Sequence, residues 1–291
     1  MRVLHLIKSF FKVSNIGTII FFVLNASVLL AIFSAGGTES LVAGGILYLV
    51  SIVIALSPIG EWFLSLFAGA RKMKRMDMRN RILPSVQRVY RKAKEKTPTL
   101  PDVIILKVMY DPTPNAFAIG RRTICVTEGL YELPDEMIEG VLAHEIGHLA
   151  LHHTDIQLLI GGGNYIITMF VLLLKAISAI LSGTATIGMI RSGSSATGCV
   201  FSSFSILCAG FVWLWTKFCM LFLMWSSRAN EYEADKYAYE IGYGYQLAQV
   251  LDSIGTGTPQ STLLKALYST HPETNDRIGK LQELGVPYAR Y

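Results

Sequence analysis

Apolar positions along this chain come in two textures, unbroken runs and periodic stripes. Four runs stand out. Ile16–Ser34 is almost wholly apolar, and Leu41–Ser57 follows at once, extending through Trp62 to Phe67. Pro58 and Gly60 predict a kink near the end of that second run, and Trp62 suits a membrane interface. Leu158–Leu181 and Val200–Trp225 form the other two, joined by a Gly-, Ser- and Thr-rich loop over 182–198. Each is long enough for ~30 Å of hydrocarbon. Lys175 and Lys217 lie within this second pair, where a lysine near a helix end can snorkel. Ahead of all four, Met1–Lys12 sets Val3, Leu6, Ile7, Phe10 and Phe11 on one helical face, as in an interfacial helix. The first run exceeds the ~7–15 residues of a signal h-region, which favours an uncleaved anchor.

The stripes lie between and after the runs. Val86, Val89, Tyr90 and Ala93 predict an amphipathic helix over Leu83–Lys96. Val103–Met109 reads as a strand, a turn from Asp111 leads to a second ending at Gly120, and Thr123–Thr127 is a third. This small sheet feeds a helix opened by Pro134-Asp135-Glu136, with Asp135 the expected cap. Met137, Ile138, Val141, Leu142, Leu149 and Leu151 then recur at helical spacing. Further helices are expected over Ser227–Ile241, Leu263–Tyr268 and Thr274–Leu284, with a break at Gly255–Pro259.

Charge sets the orientation. Charged residues make up 16% of the 291, against ~25% in soluble domains, and apolar residues 52%. The formal charge of +5 is uneven: Arg71–Lys96 holds eleven basic residues against Asp77 and Glu95. That cluster follows the second run directly, whereas the link between the first two runs has no basic residue. The positive-inside rule therefore puts the amino terminus and everything just after residue 68 in the cytoplasm. Anionic lipid headgroups, not nucleic acid, are the expected partner of the basic cluster. Cys125, Cys199, Cys208 and Cys219 show no paired spacing and read as reduced.

The chemistry sits in the helix after the sheet. His144-Glu145-Ile146-Gly147-His148 is an H-E-x-x-H arrangement. Residues four apart on a helix lie one above the other, so two imidazoles can close on one zinc ion while Glu145 takes a proton from a water. Gly147 costs ~1 kcal/mol in a helix interior, tolerable where a neighbour's backbone passes close. A catalytic zinc needs a third protein ligand. His152 and His153 are nearby, but a straight helix cannot wrap three turns around one ion. Glu231, with Asp235 four residues on, offers a carboxylate from a second helix; the alternative is a solvated surface acid. In that arrangement Asp235 would hold a histidine of the first helix in the right tautomer. The edge of the small sheet could bind a peptide by strand addition, or be an ordinary hairpin.

Taken together, H-E-I-G-H, a pair of apolar runs, S-R-x-x-E-x-x-A-D over Ser227–Asp235, Pro114-Asn115-Ala116-Phe117-Ala118 with Gly120, and His271-Pro272 before Arg277 resemble the HtpX and CAAX-prenyl endopeptidase family of membrane zinc metalloproteases. The resemblance covers nearly the whole chain. It implies a gluzincin-type zinc metalloprotease domain, mainly α with a small β-sheet, joined to four transmembrane helices. It implies one Zn2+ per chain held by His144, His148 and Glu231, with Glu145 as general base and His271 steadying the oxyanion. Asp235 and Arg277 would back the ligands, and Asn115, Ala116, Phe117 and Ala118 would pair with substrate. The length and four apolar runs look more like HtpX than the longer prenyl proteases. Expected substrates are peptides and proteins, above all surplus or damaged membrane proteins cut on the cytoplasmic side in stress-related quality control. A CAAX-type prenyl-peptide protease and an inactive zinc-binding scaffold are the rival expectations.

The expected organisation is therefore a multi-pass protein of the cytoplasmic membrane in four parts. Residues 1–68 carry the interfacial helix and two spans, and 69–157 the sheet and H-E-x-x-H helix. A second hairpin occupies 158–226, and 227–291 forms a helical part supplying Glu231.

Overall fold

The computed structural model describes residues 2–34, 37–160, 227–255 and 273–289, with positions 173, 207, 210–211 and 214–215 between them. The amino-terminal third is helical. Helix α1 (Arg2–Phe10) ends in a 3-10 turn at Val13–Asn15, followed by α2 (Ile16–Ser34) and α3 (Gly37–Ala55). The kink expected after the second run is a complete break. Ser57 caps a separate helix, α4 (Pro58–Phe67), by accepting a hydrogen bond from the Ile59 N–H at 3.1 Å. Pro58 occupies its first turn, where a missing N–H costs nothing. Among the described residues, α3 is the one helix long and apolar enough to cross a membrane by length and composition. Most of the second hairpin, 158–226, lies outside the described residues, as does the helix expected at 263–268. Where described, Trp215 donates to Asn25 of α2 at 3.4 Å and stacks on Phe211.

The basic amphipathic helix α5 (Met76–Lys96) begins seven residues earlier than its apolar pattern suggests. Pro84 lies inside it, yet Met78 and Ile82 before the proline and Val86, Val89 and Ala93 after it form one buried stripe. That packing outweighs the single donor lost at proline.

The sheet has four strands in the order β1 (Arg71–Lys72), β2 (Ile105–Met109), β4 (Thr123–Thr127), β3 (Ala116–Ile119). β2 runs parallel to β4; the other two pairings are antiparallel. β1 is too short to leave a sequence pattern. β3 pairs on one side only, with Ala116 opposite Val126 and Ala118 opposite Ile124, so it is an edge. The β3–β4 turn carries Gly120 at φ +58°, and a β-carbon there would sit 2.7 Å from Glu61 Cγ of α4. Glu61 accepts from Thr123 Oγ1 at 2.5 Å and from the Arg121 N–H at 3.4 Å. The end of the second apolar run is thereby fastened to the edge hairpin.

Helix α6 (Asp135–Ala150) is the centre of the core, with Ile138, Leu142 and Ile146 fully buried. It packs against α5 and against α9 (Gly244–Gly255), a helix not among those expected, though its Leu247, Ala248, Val250 and Leu251 form a buried stripe at helical spacing. Gly140 permits the second contact: a β-carbon would lie 2.6 Å from the Gln246 carbonyl carbon. Asp135 is not the cap. Pro134 holds that position without a side-chain bond, and Asp135 begins the helix with an ion pair to Arg81. α7 covers 153–160, α8 covers 227–240, and α10 (Thr274–Glu283) closes the described chain.

Candidate metal centre

His144, Glu145 and His148 are buried in the last two turns of α6, where helical spacing turns the two imidazoles toward one point. Their Nε2 atoms are 3.1 Å apart. α8 crosses this face with its backbone close against Gly147, and that approach delivers Glu231. Its Oε2 is 3.3 Å from His144 Nε2 and its Oε1 3.4 Å from His148 Nε2. The three candidate ligand atoms all lie within 4.8 Å of one another, and all three residues are buried. Two imidazole nitrogens and a carboxylate oxygen converging so closely fit a divalent zinc-type ion, and three protein ligands leave a coordination position open. The solvated alternative for Glu231 is excluded by its 4% exposure.

Behind the cluster the remaining ring nitrogens are held. His144 Nδ1 lies 2.8 Å from Asp235 Oδ1. Arg277, on α10, grips that carboxylate with Nε at 2.8 Å and Nη2 at 2.6 Å, while its Nη1 stands 3.5 Å from Glu231 Oε2. Burial and the Arg277 charge oppose protonation of His144, but Asp235 and Glu231 outweigh them and raise its pKa to about 10. Glu145 Oε2 accepts the Ala118 N–H at 2.8 Å, so the carboxylate is tied to edge strand β3. Asn115, Ala116 and Phe117 continue along that edge; Thr127 bonds the Asn115 backbone on both its N–H and C=O. His271 lies outside the described residues.

The two histidines after the motif are not ligands. Two residues past the end of α6, His152 takes a left-handed φ of 64° and bonds Asp155 Oδ2 at 2.8 Å. Asp155 in turn holds Arg121 of the edge hairpin at 3.2 Å. The left-handed turn, normally a glycine position, folds the chain back so that His153 Nδ1 meets His148 Nδ1 at 3.0 Å. Burial lowers the pKa of His153 to about 4, with Glu233 opposing. Glu233 is held down at about 2: burial works the other way, but the nearby His153 ring and the bond from Lys12 prevail. Sequence reasoning weighed His153 only as a ligand; the spacing of five from His148 was the available signal, but its meaning depends on the backbone turn between them.

Comparison with known proteins agrees with this geometry. Residues 79–285 match the model of peptidase family M48. A protease HtpX homolog of Halobacterium salinarum is 27% identical, the alignment covering 92% of this chain and 99% of that one. A second, from Tropheryma whipplei, is 31% identical over 76% of this chain and 77% of its own length. The solved structure of S. mikatae Ste24p superposes with a TM-score of 0.53 at 18% identity, over 88% of this chain and 62% of that longer one, a likeness of fold alone. The H-E-x-x-H helix and the carboxylate facing it both lie within the matched span, and the chain belongs to peptidase family M48 as an HtpX-like, membrane-associated metalloprotease.

Proposed function

We propose that this chain is a gluzincin-type zinc endopeptidase of the cytoplasmic membrane, acting on membrane proteins in quality control. The observation that carries the reading is the convergence of His144, His148 and Glu231, from two helices separated by an apolar segment of some eighty residues, within 4.8 Å. The segment's two ends meet at one site and so lie on one side, which supports the reading of a second hairpin and four spans in all. The contact between Trp215 and Asn25 supports packing of that hairpin on the first. The basic face of α5 follows the first pair directly, which favours a cytoplasmic site resting on anionic headgroups with no nucleic-acid role.

His144, His148 and Glu231 would hold zinc, which when bound supplies a Lewis acid that lowers the pKa of water toward ~7 and polarises a carbonyl. A substrate segment adds to β3 as a further strand alongside Asn115–Ala118, placing its scissile carbonyl beside α6. Glu145, held against that edge by the Ala118 N–H, takes the proton from the attacking water and returns it to the leaving amine. Asp235 fixes His144 with its Nδ1–H outward and Nε2 lone pair inward, and Arg277 fixes Asp235. His271 is assigned the oxyanion on the strength of the motif alone.

The test is metal analysis of the purified protein, paired with cleavage of a membrane protein and of a farnesylated peptide, with and without chelator. One zinc per chain and chelator-sensitive cleavage of the membrane protein are expected. Cleavage restricted to the farnesylated peptide would replace the quality-control reading with prenyl-peptide processing. Zinc without any cleavage would leave a scaffold.

A further inference from the structure

The two histidines of the metal site are braced differently. His144 turns its Nδ1 to a carboxylate, Asp235, which a buried arginine locks. His148 turns its Nδ1 to another imidazole, that of His153, at 3.0 Å. Beyond it, His153 Nε2 faces Glu233 Oε2 at 3.5 Å, and the same oxygen accepts from Lys12 Nζ at 2.7 Å. Proton positions along this line follow from the site. For His148 to keep its Nε2 lone pair toward His144 and Glu231, its Nδ1 must carry the proton and donate it. His153 Nδ1 is then the acceptor and its own proton sits on Nε2, 3.5 Å from Glu233 Oε2, near enough for the carboxylate charge to be felt though not for a formed hydrogen bond. The negative charge behind His148 is thus one imidazole further away than the charge behind His144.

The outer end of this line belongs to the amino-terminal segment. Lys12 lies in the short link between α1 and α2, and its neighbours are fastened to the same region. Ser9 Oγ donates to the Leu151 carbonyl at 2.7 Å, at the end of α6, and Asn15 Nδ2 donates to the Ser9 carbonyl at 2.8 Å. Asn230, the residue before Glu231, donates to Asn15 Oδ1 at 3.1 Å. Both helices that supply ligands are therefore touched by residues 9–15. Apart from Lys12, these polar groups are buried.

We propose that His153, Glu233 and Lys12 form a positioning chain for His148, through which the amino-terminal segment holds the metal site in register. The inference rests on the zinc-peptidase reading and concerns residues that reading does not use.

The experiment is zinc affinity of the full-length protein in detergent, measured by chelator competition, together with the visible spectrum of the cobalt-substituted form. Losing a hydrogen-bond partner of a ligating histidine typically costs ~10–100-fold in metal affinity. His153→Leu should fall in that range and alter the cobalt spectrum, whereas His153→Gln, whose amide oxygen can accept the Nδ1–H, should recover most of the affinity. Glu233→Gln and Lys12→Met should weaken binding progressively less. Lys12 is partly exposed, so its variant carries the test if His153→Leu does not fold. Wild-type affinity and spectrum in His153→Leu, or in Lys12→Met and Glu233→Gln together, would overturn the chain; so would equal losses in His153→Leu and His153→Gln, the mark of packing alone. In each of those cases a zinc-replete wild type leaves the peptidase reading standing. A wild-type protein without zinc would overturn both.

Discussion

Gly147 lies against the backbone of Ala234: a β-carbon on Gly147 would be 3.1 Å from the Ala234 carbonyl oxygen and 3.2 Å from its Cα. Backbone cannot yield as a flexible side chain can, so the distance between α6 and α8, and with it the reach of Glu231 to the two histidines, depends on this residue having no side chain. Gly147→Ala gains ~1 kcal/mol of helix propensity, but overpacking a filled site costs ~1–3 kcal/mol. Gly147→Val adds two more carbons and should lose zinc as well as stability. The measurement is zinc content against melting temperature for the two variants: loss of metal in Gly147→Val at a temperature where the fold persists is the expected result. Retention of full metal by Gly147→Val would show that Gly147 does not set the spacing.

Helical spacing made the centre of this molecule readable from its residues. His144 and His148 must share a face if the segment is helical, and Gly147 announces a close neighbour. Glu231 was recognisable by its offset from Asp235 and by resemblance, since carboxylates at i and i+4 by themselves describe any solvated helix. What could not be read depends on long-range geometry. Lys12 and Glu233 are 221 positions apart, and the role of His153 exists only because His152 adopts a left-handed turn. Local rules also lost to packing. Pro84 sits within α5 because the buried stripe continues across it. α9 does carry an apolar stripe, Leu247, Val250 and Leu251, but nothing in it names its partner, which the notch at Gly140 decides.

Arg277 is 7% exposed and makes two bonds to Asp235 while facing Glu231. Removing one partner of a buried ion pair leaves an uncompensated charge, at ~3–5 kcal/mol. Arg277→Met should therefore destabilise the fold and, by releasing Asp235 from His144, weaken zinc binding. Arg277→Lys keeps the charge but not the planar fork and should fall between. Denaturant unfolding read beside zinc competition checks both. A methionine variant with wild-type stability and affinity would remove Arg277 from this role.

Glu61 joins helix α4 to the turn behind edge strand β3 through Thr123 and the Arg121 N–H. Its carboxylate touches no candidate ligand, so Glu61→Ala should leave zinc content unchanged and loosen the edge proposed to pair with substrate. Loss of pairing energy shared by ground and transition states raises KM without lowering kcat. The expected result is a KM severalfold higher on a peptide substrate. A fall in kcat with KM unchanged would place the effect on the reacting groups instead.

Cys125, in the middle of β4, is fully buried, and burial pushes its thiol up to about 12. The sign is that of an acid whose charged form is penalised: between pH 9 and 12 the unfolded thiol ionises while the folded one does not, so rising pH erodes stability across that window. At pH 8 the thiolate, the reactive form, is scarce. In a variant with Cys199, Cys208 and Cys219 replaced by serine, alkylation of the native protein should be at least ~100-fold slower than after denaturation. Equal rates would mean that β4 is not the packed centre of the sheet.

Glu145 is assigned the proton transfers because it follows His144 on α6, approaches no closer than 4.0 Å to that ring's Nε2, and is bonded instead to the Ala118 N–H. Glu145→Gln separates the two roles cleanly. The amide oxygen can still accept from Ala118, so the edge strand and the ligand trio should be undisturbed, and the variant should bind one zinc with wild-type affinity. The amide cannot accept a proton from water, and general-base catalysis of this kind is worth ~10²–10⁴ in rate. Cleavage should therefore drop by at least that factor while substrate binding persists, which would make the variant suitable for trapping substrates. A Glu145→Gln protein that loses its zinc would mark Glu145 as a ligand. One that cleaves at the wild-type rate would require a different residue to take the proton.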